Sequence, residues 1–266
     1  MTFQVLISTM NQTNYILLDE MNITSDAVVI NQCDKNNVEE FEYRNYHIKW
    51  VNTTDRGVGK SRNLAFMNAN ADIILFADDD VIYNDEYKKK IIEEFQNTHA
   101  DLITFNLKSL NNKRPEAITK KTHKLNCFNC LKYGAFRIAV RRNVILKKNI
   151  FYSLLFGGGA VYQAGEDNLY ITDCIKKHCR SIASQVHIGV VKQNESTWFR
   201  GYDEKYYYDR GALFCAMYGF FASPMLFLIE VKNNATSKIK FLKRYSNGLR
   251  GVHDYKSTTE DYECSK

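Results

Sequence analysis

Apolar runs of strand length alternate with helical patterns along the first two thirds of the chain. Runs rich in β-branched and aromatic residues predict strands, whereas apolar positions three and four residues apart predict helices. The predicted strands are Phe3–Ser8, Asp26–Asn31, His47–Asn52, Ile73–Ala77, Leu102–Asn106 and Ala135–Val140, and the predicted helices run from Thr13 or Asn14 to Met21, within Asp55–Asn70, over Asp85–Thr98, and from Glu166 to about Lys177. Strands that alternate with helices favour a mostly parallel central sheet flanked by helices, so the sequence predicts an α/β fold.

Three consecutive carboxylates follow the most apolar of these strands. Ile73–Ala77 leads directly into Asp78, Asp79 and Asp80. Open α/β sheets bind ligands at the carboxyl ends of their strands. Adjacent carboxylates repel one another by roughly 1 kcal/mol per pair in water and about 4 kcal/mol at a protein-like dielectric, and a divalent cation would reverse that repulsion. Hard oxygen ligands suit Mg2+ or Mn2+, and Asp78 and Asp80 point to the same side of an extended chain.

An alternative is that these carboxylates only cap the helix that follows them. Asn84 stands immediately before the predicted helix and suits the capping position better. The pattern therefore favours a ligand site, with Asp79 left for a substrate hydroxyl or a structural hydrogen bond.

Length and composition restrict the class of protein. The 266 residues, 45% of them hydrophobic, suffice for one large α/β domain with an appendage or for two small domains. We recognise no signal-peptide pattern near the start and therefore expect a cytoplasmic protein. Seven cysteines form an odd set without framework spacing, which suits reduced thiols.

The net charge of +6 is concentrated near the C-terminus. Basic residues dominate 232–256, and the preceding 211–231 is strongly apolar but contains Pro224, so we expect two short helices bent at this proline. An apolar segment next to basic residues favours peripheral contact with an anionic membrane over a nucleic-acid partner. The alternatives are that this apolar segment packs against the chain's own core or against a second subunit in a homodimer.

Three further motifs have both a functional and a purely structural interpretation. Gly59-Lys60-Ser61 matches the end of a P-loop, but Thr54 stands where the first glycine belongs. Cys127 and Cys130 could begin a zinc site, but the other candidate pair, Cys174 and Cys179, is too widely spaced. The third motif joins Gly157–Gly159 to Glu166-Asp167 at a predicted helix start, where the carboxylates are either ordinary first-turn charge or a general base for a hydroxyl nucleophile.

Taken together, the motifs resemble bacterial family 2 glycosyltransferases over roughly the first 220 residues. The residues that carry the resemblance are Val5-Leu6-Ile7-Ser8-Thr9, Gly59-Lys60-Ser61-Arg62-Asn63-Leu64-Ala65, Ala77-Asp78-Asp79-Asp80-Val81, Gly165-Glu166-Asp167-Asn168 and Glu195-Ser196-Thr197-Trp198-Phe199. The resemblance implies the GT-A fold, a Rossmann-like nucleotide-diphospho-sugar transferase fold, here with a C-terminal helical extension.

It also implies an inverting transfer of a sugar from a nucleotide-activated donor to a hydroxyl. In such enzymes an Asp-x-Asp pair holds Mn2+ or Mg2+ on the donor diphosphate, which maps onto Asp78 and Asp80, with His187 as a candidate further metal contact. The Asp of a Glu-Asp pair deprotonates the acceptor, which maps onto Asp167, with Glu166 orienting the acceptor.

Further roles follow from the same resemblance. Ser8 and Thr9 would line the nucleotide pocket, and Arg62 would reach it from the following helix. Family members often contact the nucleotide base through an acidic residue after the second strand. In this chain the candidates for that contact are Asn31, Gln32 and Asp34. The remaining candidates are Asp79 for the donor and Gly158, Gly159 and Trp198 for the acceptor.

The resulting expectation is a glycosyltransferase that uses a UDP-sugar and acts on a glycan or lipid-linked acceptor in bacterial surface polysaccharide synthesis. The catalytic domain is predicted at 1–210, with a nucleotide-sugar half to about 110 and an acceptor half after it, and the extension at 211–266. Rival hypotheses are a nucleotidyltransferase that makes sugar nucleotides and a non-catalytic module that binds a sugar nucleotide or a membrane.

Overall fold

The computed structural model describes residues 1–111, 118–192, 201–232 and 240–264, with side chains through residue 258. The strands are β1 Phe3–Met10, β2 Asp26–Gln32, β3 Asn37–Tyr43, β4 Tyr46–Thr53, β5 Ile73–Asp78, β6 Val81–Tyr83, β7 Leu102–Ser109, β8 His123–Lys124, β9 Ile138–Arg141 and β10 Ser181–Val191. The α-helices are α1 Leu17–Glu20, α2 Val58–Asn68, α3 Tyr87–Thr98, α4 Arg142–Lys147, α5 Glu166–Lys176, α6 Glu204–Tyr218, α7 Ala222–Lys232 and α8 Phe241–Cys264. Short 3-10 helices cover Cys130–Lys132, Ala135–Arg137 and Gly219–Phe221.

In the described part of the chain the strands form one mixed sheet in the order β3-β4-β2-β1-β5-β9-β7-β10-β6, with β8 paired to β10. The pairs β4–β2, β2–β1, β1–β5 and β7–β10 are parallel, and the other pairs are antiparallel. The α/β fold class with flanking helices and C-terminal helices is confirmed. The parallel part includes β1 and β5, so their carboxyl ends meet at one edge of the sheet.

The parallel strands β1 and β5 are mostly apolar because they are buried. Every residue of β5 from Ile73 to Ala77 is buried, and so is every residue of β1 from Phe3 to Thr9. Strands covered on both faces are typically continuous apolar runs rather than alternating ones.

Two of the strands that were not predicted, β3 and β6, lie at the edges of the sheet. β3 contains three glutamates in seven residues and pairs only with β4, at one edge of the sheet. Edge strands tolerate exposed charge, so the apolar pattern is weak there. β6 is three residues long and immediately follows the carboxylates. Helix α3 begins at Tyr87, with Glu86 at the N-cap and no side-chain capping bond. The expectation that the Asn84 side chain caps this helix was therefore wrong. The backbone carbonyl of Asn84 instead accepts a hydrogen bond from Tyr87 N–H.

The chain forms two compact units. The first comprises Met1–Tyr152 with Tyr170–Ser196 and contains the sheet, and the second comprises Ser153–Leu169 with Thr197–Lys266. The domain boundary predicted at residue 210 falls within α6 of the second unit.

The apolar segment of the second unit is divided into two helices, as predicted, but the break is not at Pro224. α6 ends at Gly219, whose φ of 55° suits glycine, and α7 begins at Ala222. Pro224 lies in the first turn of α7, where no intrahelical N–H donor is required, so it does not bend the helix. By length and composition the helical segment Glu204–Lys232 could cross a membrane, and a third of its most apolar window is buried.

Helices α6 and α8 of this unit pack with their backbones in close contact. A Cβ atom at Gly211 would lie 1.9 Å from the carbonyl oxygen of Gly248, and one at Gly251 would lie 1.9 Å from that of Tyr208. Only glycine permits this approach, so Gly211 and Gly251 set the distance between the two helices.

Candidate functional site

The three consecutive carboxylates lie where the sequence predicted them, at the carboxyl end of β5. Asp78 is the last residue of β5 and pairs in register with Ser8 of β1. Asp79 and Asp80 form the turn into β6, and all three side chains are half-buried. This edge of the parallel strands is where an α/β sheet offers a ligand site.

A buried arginine neutralises the first carboxylate. The Nη2 atom of Arg62, on α2, donates to Oδ1 of Asp78 at 2.9 Å, and the side chain of Arg62 is only 4% exposed against 33% for Asp78. The guanidinium also lies 5.2 Å from the ring centroid of Tyr152, which favours a cation in this place. Arg62 therefore holds Asp78, and its predicted contact with the nucleotide stays a prediction.

The position of α2 depends on its first turn and on β1. Gly57 precedes the helix at a φ of 119°, and its N–H donates to Oε1 of Gln32 at 2.8 Å. One turn into the helix, the Ser61 hydroxyl donates to that of Ser8 at 2.9 Å. These bonds hold the start of α2 against the ends of β1 and β2. They engage the hydroxyl of Ser8 and the side-chain oxygen of Gln32.

The second carboxylate is held by β1. The Thr9 hydroxyl donates to Oδ2 of Asp79 at 2.6 Å and accepts from Nε2 of Gln12 at 3.0 Å. Burial raises the pKa of Asp79 above its ordinary value; the Thr9 hydrogen bond opposes this shift and the charge of Asp78 adds to it. A cation near Asp79 would favour its ionised form.

Asn31 is engaged in the structure of the loop after β1. Its side chain is completely buried, its Oδ1 accepts from Gln12 N–H, and its Nδ2 donates to the Gln12 carbonyl and to Oδ1 of Asn52. The neighbouring Asp34 side chain is 97% exposed and pairs with Arg56. Among the three residues left open after β2, Asn31 thus positions the loop and Asp34 lies at the surface.

The predicted metal ligands are partly brought together. Asp78 and Asp80 flank the turn at the end of β5, and the carbonyl of Asp80 accepts from Lys192 N–H beyond the end of β10. His187 lies earlier on β10, roughly 15 Å along the strand from Lys192 at the usual rise per residue. The role of His187 as a metal contact stays a prediction that this placement does not support.

Among the residues that the structure describes, no group of three or more His, Cys, Asp or Glu side chains is arranged to hold a metal ion. Mg2+ in phosphate-transfer sites commonly uses one or two carboxylates and takes its other ligands from substrate phosphates and water. The all-oxygen donor set of Asp78 and Asp80 fits such a partial site.

The Glu-Asp pair belongs to the second unit. Glu166 and Asp167 occupy the first turn of α5 and are half-buried. Gly165 precedes them at a φ of 105°, and a Cβ atom there would lie 2.5 Å from Cδ2 of Leu213 on α6. The helix start is therefore packed closely on α6, which fixes where the two carboxylates begin.

The predicted acceptor glycines lie in a tight loop before this helix. Gly157 N–H donates to the carbonyl of Tyr162 at 2.8 Å, which closes the loop around Gly158 and Gly159. Gly158 is buried, and Gly159 is exposed with a φ of 84°. Trp198 lies outside the described residues.

Sequence reasoning missed two residues that support the carboxylates, Gln12 and Tyr152. Gln12 stands three residues after Thr9, a spacing that could have suggested contact in a tight turn after a strand. Tyr152 is 90 positions from Arg62 and has no local pattern, so only the tertiary structure reveals it.

The mixed sheet with flanking helices and carboxylates at the end of the parallel β1–β5 pair has the architecture of the GT-A fold of glycosyltransferases. The family model described as glycosyl transferase family 2 matches residues 15–156, just over half of the chain. The chain therefore belongs to glycosyl transferase family 2, as its motifs predicted.

Two curated relatives are the poly(ribitol-phosphate) beta-N-acetylglucosaminyltransferases TarS of Staphylococcus aureus strains Mu50 and MW2. Each is 26% identical over 168 residues, which cover 57% of this chain and 29% of the relative. The match thus spans less than a third of the length of these relatives.

Solved structures of S. aureus TarS 1-349 share the fold. The complex with UDP-GlcNAc superposes with a TM-score of 0.68 at 17% identity, covering 96% of this chain and 80% of that one. The complex with UDP gives a TM-score of 0.65 at 15% identity, covering 100% of this chain and 92% of that one.

Proposed function

We propose that the protein transfers N-acetylglucosamine from UDP-GlcNAc to a hydroxyl of a ribitol-phosphate-type cell-surface polymer, with inversion at the anomeric carbon. The observation that carries this proposal is the carboxylate cluster at the end of β5, held by Arg62 and Thr9, in a chain that belongs to glycosyl transferase family 2. The donor and acceptor are those named for the curated relatives.

On the donor side, the roles divide among three carboxylates. Asp80 and Asp78 would hold Mn2+ or Mg2+, and Asp79, fixed by Thr9, would accept from a donor hydroxyl. When bound, the cation supplies neutralisation of the charge that builds on the leaving diphosphate. Arg62 keeps Asp78 oriented, because its buried guanidinium restricts the carboxylate to one position.

On the acceptor side, Asp167 is the proposed general base and Glu166 orients the acceptor. The acceptor oxygen forms a bond to the anomeric carbon while the bond from that carbon to the diphosphate oxygen breaks. Asp167 takes the proton of the attacking hydroxyl, and the electron pair of the broken bond leaves with UDP. A single displacement of this kind inverts the anomeric carbon.

The charge of the chain supports a polyanionic acceptor. A net charge of +6 attracts a polymer with one phosphate per repeat and raises its association rate. A lipid-linked glycan remains the second acceptor to test. A nucleotidyltransferase is disfavoured because Ser8-Thr9-Met10-Asn11-Gln12 after the first strand lacks the Gly-rich, Arg-bearing phosphate loop that such enzymes need.

The donor is tested first by thermal shift with UDP-, GDP-, CMP- and dTDP-sugars in the presence of Mn2+, Mg2+ or EDTA. Stabilisation by UDP-GlcNAc that requires metal is expected. Asp80→Ala should remove this shift, while the control Asp85→Ala, at an exposed position before α3, should keep it. Equal stabilisation of the Asp80→Ala variant would refute the proposed metal site.

Transfer is then measured as UDP release and polymer labelling with poly(ribitol phosphate). Asp167→Asn should bind the donor normally and lose transfer, whereas Asp173→Asn, a half-buried carboxylate on the same helix, should retain it. Donor binding without turnover by the unmodified protein on either acceptor would favour the non-catalytic binding module. Normal turnover by Asp167→Asn would remove this residue from the mechanism.

A further inference from the structure

Helix α7 of the second unit presents an apolar face to solvent. Within the helix, large exposed apolar side chains at 227 and 228 lie four and three residues before the one at 231, which places them on one side, and two phenylalanines of the 3-10 turn before the helix are exposed as well. These side chains, here called the outer stripe, are Phe220, Phe221, Phe227, Leu228 and Val231, and they are 94%, 65%, 44%, 61% and 51% exposed. Leu242 at the start of α8 is 78% exposed as well.

The inner face of the same helix carries a buried charge. Glu230 is fully buried and accepts from Arg210 of α6 at 2.8 Å and from Arg244 of α8 at 2.7 Å. An ordinary surface helix of a soluble protein has the reverse arrangement. Turning α7 to bury the outer stripe would separate Glu230 from both arginines, so the ion triad fixes the stripe outward.

The exposed charged residues in the helix that carries the stripe and in the first part of α8 are basic. Within 219–232 and 240–250, the exposed charged residues are Lys232, Lys240, Lys243 and Arg250, and the single carboxylate in these two ranges is the buried Glu230. Lys243 pairs with Glu204 of α6, and Arg250 lies near Glu204 and Asp254, so this basic border has four cations against two carboxylates and is positive overall. Apolar side chains with a basic border match the chemistry of an anionic bilayer surface, where the former enter the headgroup region and the latter contact lipid phosphates.

A second copy of the chain fits this surface less well. In a two-fold contact the same patch faces itself, so the basic borders of both copies would be brought together without opposing carboxylates from these ranges. Charge complementarity therefore selects an anionic partner with an apolar interior.

We propose that the outer stripe and its basic border bind the surface of an anionic lipid bilayer as a peripheral contact. This inference is independent of the proposed transfer reaction, because its residues are not among those assigned to donor, acceptor or metal.

The test is flotation of the full chain with vesicles of equal parts phosphatidylglycerol and phosphatidylcholine, and with vesicles of phosphatidylcholine alone. Binding is expected to the anionic vesicles and to fall at high salt. Phe220→Asp combined with Leu228→Asp should lower the partition coefficient at least about tenfold, since two exposed apolar groups lose their burial. Phe128→Asp, at a 71% exposed phenylalanine of the first unit, is the matched control and should bind normally.

Circular dichroism and the donor-induced thermal shift establish that each variant is folded. Equal vesicle binding by the double variant and the unmodified chain would overturn the proposal. Resistance of the bound chain to extraction by alkaline carbonate would also overturn it, because it would identify a membrane-spanning helix. So would a chain that binds no vesicles but forms a dimer, if the double variant is a monomer. Soluble poly(ribitol phosphate) is added as a competitor of the vesicles. If it displaces the unmodified chain from them and its own binding is lost in the double variant, the surface binds a polyanion instead.

Discussion

Replacing Arg62 by Met tests how strongly the buried ion pair holds the carboxylate cluster. Methionine keeps much of the apolar length of the side chain and its contact with the ring of Tyr152, but it removes the charge. Asp78 would then stand half-buried beside Asp79 without its counter-ion. The variant should therefore lose stability through electrostatics rather than through a cavity.

The magnitude follows from burial. Two unit charges 2.9 Å apart attract by about 6 kcal/mol at an effective dielectric of 20, before the desolvation of both groups is subtracted. Removing one partner of a buried pair typically costs about 3–5 kcal/mol. Since Asp78 is one third exposed and can be partly solvated, we expect a loss near the lower end, about 3 kcal/mol.

The assay is urea unfolding of Arg62→Met, with Lys60→Met as the matched control on the same helix. Lys60 pairs with Asp55 at 3.3 Å, but both side chains are more than half exposed, so its replacement should cost about 1 kcal/mol or less. The variant Arg62→Met/Asp78→Asn removes both charges, and a coupling energy of about 1–3 kcal/mol is expected from the cycle. Equal losses for Arg62→Met and Lys60→Met would refute the reasoning.

Four further predictions concern stability. Because burial raises the pKa of Asp79, its ionisation opposes folding above the ordinary Asp pKa; Asp79→Asn should raise Tm at neutral pH and the gain should vanish in acid. Asp72→Asn should show the opposite sign, a loss at neutral pH that fades in acid, because a backbone hydrogen bond lowers the pKa of Asp72. Gly251→Ala should lower the free energy of unfolding in urea by about 1–3 kcal/mol, because its Cβ would lie 1.9 Å from a backbone oxygen. Gly248→Ala should cost less, because a Cβ there meets only the end of a leucine side chain. Glu230→Gln leaves two arginines without their counter-charge and should cost about 3 kcal/mol, seen as faster amide exchange in α7.

Each of these four predictions has a result that contradicts it. For Asp72→Asn, that result is a loss of stability that is the same at every pH. A Tm gain for Asp79→Asn that is the same at every pH would mean that ionisation is not the cause. Equal losses at Gly251 and Gly248 would mean that the close backbone contact at Gly251 is no more restrictive than the side-chain contact at Gly248. For Glu230→Gln, the comparison is Glu204→Gln, whose exposed pair with Lys243 should contribute little; similar effects would show that the triad contributes no more than a surface pair.

The parallel strands and the position of the carboxylates could be predicted because their signals are local. Ile73–Ala77 is apolar, strand-length and directly joined to Asp78–Asp80, so both the element and its functional end lie in one short window. β3 could not be predicted in this way, because its register with β4 at the edge, rather than its own composition, makes it a strand.

The partners of the carboxylates were less predictable, since each bond joins distant positions. Thr9 and Asp79 are 70 positions apart, and Arg62 reaches Asp78 across 16. The sequence indicated that Thr9 and Arg62 belong to the site, from the resemblance of their motifs, but it assigned both to the nucleotide. Which atom each side chain contacts depends on the register of β1 with β5 and on the position of α2.

Helix α7 shows why composition alone cannot orient an apolar segment. Hydropathy counts the residues of 211–231 as apolar but does not say which face is buried, and the bend was predicted at Pro224 although Gly219 makes it. The charged residue in this helix carries the missing information. A carboxylate in an apolar helix must find cations or remain in water, and Arg210 and Arg244 are the cations that bury Glu230. Leu228 and Val231 lie two positions and one position from Glu230, so they are on other sides of the helix and face outward once Glu230 is turned inward. The buried charge therefore determines the exposed surface.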